Sequence, residues 1–188
     1  VVIPDTYCGL PVVRVDFWAW ELGMNTVTTS IRFPKHLKTL RGEVCGHFVA
    51  LREVEIPAGV TEISARAFYN CRSLQRVVLP EGVTRIGPYA FSKCRSLREI
   101  VIPEGVTEVK EGAFSDCEKL TEIYLPEGLT EIGKNVCSNT AVSSVVIPST
   151  VSHLPRCFMN CRNLTKVEIP EGITVDRAFF GTPFLDNY

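Results

Sequence analysis

The segment CRSLREIVIPEGVTEVKEGAF (Cys94–Phe114) repeats the segment CRSLQRVVLPEGVTRIGPYAF (Cys71–Phe91) at a displacement of 23 residues, and 12 of the 21 aligned positions are identical. The repeat extends well beyond this pair. Pro34, Pro57, Pro80, Pro103 and Pro126 follow one another at 23 residues, and Pro148 and Pro170 at 22. The consensus is L-x-x-V-x-[LI]-P-E-G-V-T-x-I-x-x-x-A-F-x-x-C-x-x-L. A period of 20–30 residues with this apolar pattern predicts a solenoid.

One unit can be read from Leu97 onward. Ile100 and Ile102 alternate as in a half-buried strand. Pro103–Gly105 is a turn, with proline fixing φ at its entry and glycine permitting a φ that side chains disfavour. Val106 and Val109 predict a second short extended stretch. Glu111–Cys117 reads as a single helical turn. Ala113 is small where the turn approaches the strands, and Phe114 fills the interior. A lone unit has no partner for its apolar wall. Stacking copies removes that wall from water at about 25 cal/mol per Å².

The predicted fold class is therefore a repeat solenoid of the leucine-rich-repeat type. It has parallel β-strands, one per coil of about 23 residues, short second strands and short helical turns. We read residues 1–188 as one array, with cap-like segments at 1–15 and 181–188 around repeats at 16–180. Trp20 aligns with the repeat Phe, and Glu21–Ser30 is about two residues too long for its unit. Another unit starts at Ala178–Phe179 and breaks at Pro183, where Phe184, Leu185 and Tyr188 are placed to cover the last coil. Deletions near Asn139–Val142 and His153–Arg156 mark less regular coils. Opening on Val-Val-Ile-Pro without Met, the chain reads as a processed or cloned fragment, so the missing leader says nothing about the parent protein.

The composition removes several function classes. The net charge is −1, with 20 basic and 21 acidic side chains; a phosphate-backbone binder needs a basic surplus, so nucleic acid is not an expected partner. No apolar run approaches the roughly 18–20 residues of a membrane span. Of the 8 cysteines, Cys71, Cys94, Cys117 and Cys161 share one slot of the unit, while Cys45 and Cys137 fall where other units put Phe. A residue that exchanges with Phe behaves as a small hydrophobe. We therefore read the cysteines as mostly buried and reduced, which suits a reducing or anaerobic setting. Cys137, Cys157 and Cys161 resemble a metal-ligand set, but each already has a core slot. His36, His47 and His153 are scattered without the spacing of a metal site. No nucleophile elbow, zinc-helix motif or phosphate loop is present. No catalytic residue, metal or cofactor is assigned, and the chain is not expected to be an enzyme.

The turn glutamates Glu81, Glu104, Glu127 and Glu171 recur at one position. Stacked carboxylates suit Ca²⁺; the simpler reading is a solvated turn balanced by Arg76 and Arg85. The strands offer more. The residue between the last two apolar positions points away from the core. Coil by coil that column reads Arg32, Glu55, Val78, Val101, Tyr124, Val146 and Glu168, and its neighbour reads Ser30, Glu53, Arg76, Glu99, Glu122, Ser144 and Lys166. An apolar strip (Val78, Val101, Tyr124, Val146) with a charged rim (Arg32, Glu55, Arg76, Glu99, Glu122, Glu168) has the form of a protein-binding patch. Tyr124 is its best anchor. The competing explanation is that β-branched residues simply suit strands.

The repeated pattern resembles the BspA-like bacterial leucine-rich repeats, from Val12 to about Phe180. Ile3–Val12 is similar to the opening of such arrays and Ala178–Pro183 to their closing. The coils with Cys in place of Phe depart from the pattern. The resemblance implies a non-enzymatic binding scaffold on a secreted or cell-surface bacterial protein, with a protein or peptide ligand and a role in adhesion. The alternative is a structural spacer or surface-layer array whose activity lies elsewhere in its parent. A glycan-binding face would need more exposed aromatics than Tyr124.

Overall fold

The computed structural model describes residues 1–15 and 24–186. Trp18, Trp20 and Tyr188 lie outside the described residues. The chain opens with a hairpin, β1 (Thr6–Tyr7) and β2 (Leu10–Pro11). Its two-residue loop, Cys8–Gly9, holds both residues at positive φ, 51° and 77°, as a tight hairpin requires. The coils then contribute one strand each to a principal face: β4 (Ser30–Ile31), β6 (Glu53–Glu55), β8 (Arg76–Val78), β10 (Glu99–Val101), β12 (Glu122–Tyr124), β14 (Ser144–Val146) and β16 (Lys166–Glu168). A second row consists of β3 (Arg14–Val15), β5 (Thr39–Leu40), β7 (Glu62–Ile63), β9 (Arg85–Ile86), β11 (Glu108–Val109), β13 (Glu131–Ile132), β15 (His153–Leu154) and β17 (Thr174–Val175). Every ladder between coils is parallel and joins residues one repeat apart, as in Ile100 with Ile123 and Val109 with Ile132. The array thus has the parallel-strand solenoid form that the 23-residue period predicts.

The segment expected as a helical turn is a run of tight turns closed by bonds three residues long, such as Ala113 N–H to Lys110 C=O and Ser115 N–H to Gly112 C=O. It also makes a third ladder. Arg66, Phe68 and Asn70 donate their N–H groups to Pro88, Ala90 and Ser92 at 2.9, 2.8 and 2.8 Å, and Tyr89, Phe91 and Lys93 repeat this one coil on. The cause is conformational. Arg66 and Asn70 sit at φ 57° and 60°, Tyr89 and Lys93 at 55° and 63°. Left-handed residues on either side of the buried Phe turn alternate amides toward the next coil. Gly112 occupies the same slot at φ 60°, and a Cβ there would strike the Tyr89 ring.

The interior is a set of stacked columns. Phe68, Phe91 and Phe114 stack at 5.3 and 5.6 Å within 4° of parallel. Phe158 and Phe179 stack at 5.8 Å, and Phe184 of the terminal helix α1 (Pro183–Asp186) closes edge-on over Phe179 at 5.2 Å. Cys137 interrupts the phenyl column. The two coils with Cys in the Phe slot compensate: Val44 and Val136 stand where Ala67, Ala90 and Ala113 stand elsewhere, and Phe48 takes the usual Cys slot beside Cys45. All of these side chains are buried, so interior volume moves between slots while density is kept.

The cysteines other than Cys8 are buried, and all eight are free. In the repeated slot, Cys71, Cys94, Cys117 and Cys161 direct Sγ at the carbonyls of Cys45, Phe68, Phe91 and Cys137 at 3.0–3.2 Å. Thr140 fills that slot once, bonding Cys137 C=O at 2.8 Å and meeting Cys161 Sγ at 3.3 Å.

Candidate functional site

The principal strands alternate as the sequence requires. In β10, Glu99 and Val101 are exposed around buried Ile100; in β12, Glu122 and Tyr124 flank buried Ile123. The strip is open to solvent: Val78 is 41% exposed, Val101 64%, Tyr124 57% and Val146 55%. Ladder pairing brings Val101 directly beside Tyr124, Glu99 beside Glu122, Glu55 beside Val78 and Val146 beside Glu168. Arg32 heads the column at the other end, bridged to Val2. The principal face is not one continuous sheet. Hydrogen-bonded ladders join β4 to β6 to β8, β10 to β12, and β14 to β16. The strip therefore crosses two junctions, between Val78 and Val101 and between Tyr124 and Val146.

Two shallow grooves lie on this face. The larger, about 750 Å³, is lined by Arg32, Lys35, Glu53, Glu55, Ala58, Arg76 and Val78 among others. The smaller, about 320 Å³, is lined by Tyr124, Ser144, Val146, Lys166 and Glu168. The sequence contains the columns but not the grooves, because a groove depends on how side chains of different length stand beside one another.

Tyr124 is held in place. Its hydroxyl donates to Glu122 Oε2 at 3.0 Å. That bond stabilises the neutral phenol, so its pKa is raised above the ordinary value, with the nearby Glu122 charge adding to the effect. The ring is thereby aimed while its apolar face remains exposed.

The turn carboxylates behave differently from expectation. Arg85 does not balance them: its guanidinium lies between Glu62 and Glu108 at 3.5 and 3.3 Å. Among the described residues Glu81, Glu104 and Glu127 form no ion pair. Glu127 instead accepts from the Ser149 amide and hydroxyl. No group of three or more His, Cys, Asp or Glu among the described residues is arranged to hold a metal. His47 accepts from or donates to Asn70 at 3.0 Å and packs edge-on against Tyr69.

A cluster on the turn side was not anticipated from the sequence. Arg66 lies over the rings of Tyr69 and Tyr89 at 5.6 and 5.9 Å, and Lys93 over Tyr69 at 5.2 Å. Tyr89 donates to Glu111 at 2.7 Å. The signal for it was Arg66 and Tyr89 one repeat apart in the same outward column, with Tyr69 three residues after Arg66.

Residues 38–156 and 85–187 match the model of the BspA-type leucine-rich repeat region, which spans six copies. The chain belongs to the BspA-type leucine-rich repeat family. Solved structures agree. The leucine-rich repeat protein of T. pallidum is 30% identical over 94% of this chain and 72% of its own, with a TM-score of 0.73. A leucine-rich repeat protein from Bacteroides ovatus shares the fold at 22% identity and a TM-score of 0.53, over 96% of this chain and 60% of its own. Another, from Eubacterium ventriosum, does so at 22% and 0.53, over 83% of this chain and 43% of its own. A comparison with curated proteins finds no match. Within the BspA-type array, no helix among the described residues is long and apolar enough to cross a membrane.

Proposed function

We propose that this BspA-type array is a non-enzymatic binding module for a protein or peptide, displayed by a secreted or cell-surface bacterial protein and acting in adhesion. The carrying observation is the exposed strip Val78, Val101, Tyr124 and Val146, set between the charged ends of the same column. Apolar side chains in the middle of a polar-rimmed face are what association buries. Tyr124 supplies a large, pre-aimed ring that loses little freedom on binding. The same reading takes 1–188 as a single array with caps at 1–15 and 181–188.

The test starts from surface extracts captured on the immobilised chain, with the partner identified and its affinity then measured against variants. Tyr124→Ala and Val101→Glu should each weaken binding about tenfold or more, as a central contact does. Unchanged affinity would place the site elsewhere. A second reading, a structural spacer, is favoured by the coil-to-coil bonding of the turn segment, which runs from Cys45 to Asn160. It predicts that neither variant has any effect on function in the parent protein.

A further inference from the structure

The strip has two borders, and both are acidic. The groove on the first coils is lined by both columns that neighbour the strip: Glu53 and Arg76, which precede Glu55 and Val78 along their strands, and Lys35 and Ala58, which follow the strand in their coils. Following those two columns along the solenoid gives Glu99 and Glu122 on the first side and Glu81, Glu104 and Glu127 on the second. All five are exposed, and none forms an ion pair among the described residues. Against them the two columns carry two cations, Arg76 beside Val78 and Lys166 in the groove that also holds Tyr124 and Val146. The chain as a whole has a net charge of −1, so this acidity is a local property of the face.

Resting on the strand-face reading above, we propose that the partner presents a basic amphipathic helix, laid across the strands along the line from Val78 to Val146. The argument is complementarity of pattern. Strands in a ladder are about 4.8 Å apart, so four strip residues, two of whose three steps cross junctions, span at least about 14 Å. A helix rises about 1.5 Å per residue and covers that length in about ten residues. An amphipathic helix carries one apolar stripe with polar residues on both of its borders. Lys or Arg on those borders then face Glu99 and Glu122 on one side and Glu81, Glu104 and Glu127 on the other. An extended segment would put its polar side chains on the opposite face from its apolar ones, and would leave both acidic rows unmatched. Carboxylates beside an apolar strip with no cation paired against them also disfavour acidic and neutral partners, which is how charge gives specificity.

Three designed 18-residue peptides test this by fluorescence anisotropy at 150 mM NaCl. The first carries Leu at helical spacing with Lys on both borders. The second has the same composition in scrambled order, and the third replaces Lys by Glu. The proposal expects the first to bind at least tenfold more tightly than the second and the third not to bind. It expects Val101→Ser with Tyr124→Ala to weaken the first about tenfold. It also expects the combined Glu81→Gln, Glu99→Gln, Glu104→Gln, Glu122→Gln variant to weaken it and flatten its salt dependence. Circular dichroism of both variants checks that they remain folded. Equal binding of the ordered and scrambled lysine peptides overturns the proposal, because only unspecific attraction is then at work. So does binding of the glutamate peptide, or of none of the three. If a partner captured from surface extracts loses affinity with Val101→Glu but is neutral or acidic at its contact, the strand-face reading stands and the cationic helix fails. If the ordered peptide binds and ignores Val101→Ser with Tyr124→Ala, the strand face itself is the wrong surface.

Discussion

The rings of Phe68 and Phe91, 23 residues apart in sequence, stack 5.3 Å from each other and within 2° of parallel. Each coil supplies one ring and leaves its other face to the next coil. Phe91 is enclosed on both sides, with Phe114 at 5.6 Å. Phe91→Ala should therefore lower stability by about 3–5 kcal/mol, the range for a buried aromatic whose site cannot collapse. Urea denaturation measures it, and a loss below about 1 kcal/mol would show that neighbouring coils close over the gap.

Cys137 breaks that column, and its neighbour Val136 fills the volume that Ala leaves in other coils. Cys137→Phe alone should destabilise the array by about 1–3 kcal/mol through overpacking. Adding Val136→Ala should recover at least about 0.5 kcal/mol of that loss, because the two sites share one space. Strict additivity in the double-mutant cycle would mean that the slots are independent.

These two cases show what a sequence can and cannot disclose. The proline period, the alternation around Ile100 and Ile123, and the interior positions of Phe91, Phe114 and Cys94 were legible because repetition turns sequence separation into spatial contact. The exposure of Val101 and Tyr124 followed from the same alternation. The exchange of volume between Val136 and Cys137 was visible as two departures from consensus, but its meaning appears only when the columns are packed side by side. The junction between β8 and β10 was not legible, since the residues there follow the consensus as closely as those inside the ladders, whereas the one between β12 and β14 falls on the coil shortened near Asn139–Val142. Spacing puts Arg85, with Arg76, near enough to balance the turn glutamates in part, yet its guanidinium lies between Glu62 and Glu108. Short-range charge pairing depends on side-chain direction, which spacing alone does not contain.

The left-handed slot offers a stabilising change. Lys93 holds φ 63° in a column where other coils place Asn70, Asn139 and Asn160. Asn tolerates this conformation and Lys does so less readily. Lys93→Asn should raise stability by up to about 1 kcal/mol, less the contact between Lys93 and the Tyr69 ring. Lys93→Val, branched at Cβ, should lower it. Thermal melts of the three proteins give the order, and equal melting points would refute the conformational argument.

The buried thiols predict a pH limit. Burial pushes Cys45, Cys94, Cys117, Cys137, Cys157 and Cys161 above the ordinary value of 9.0. The unfolded chain releases these protons near pH 9 and the folded chain only at higher pH. Above about pH 9 the unfolded state holds fewer protons, so stability falls as pH rises and is unaffected by these groups below it. Urea midpoints between pH 8 and 10.5 should decline, and Cys94→Ala should decline less steeply than the native chain. In the folded state Cys8, the exposed thiol, should react first with a thiol reagent.

The last prediction concerns the anchor of the strand face. Tyr124 donates to Glu122, and Tyr89 donates to Glu111. Both phenols are raised above their ordinary value, in each case first by the hydrogen bond to the carboxylate. Ionising either phenol would lose the donated proton and set a phenolate against a carboxylate. Glu122→Gln removes that opposition for Tyr124 alone, so its pKa should fall toward the ordinary value while that of Tyr89 stays raised. Glu111→Gln should do the reverse. Ultraviolet titration of the phenolate band separates them, with Tyr124→Phe identifying which transition is lost. A transition for Tyr124 that does not move in Glu122→Gln would mean that the ring is not tethered. Tyr124 would then enter any complex as a freely turning side chain, and its ordering would count against affinity rather than being already done.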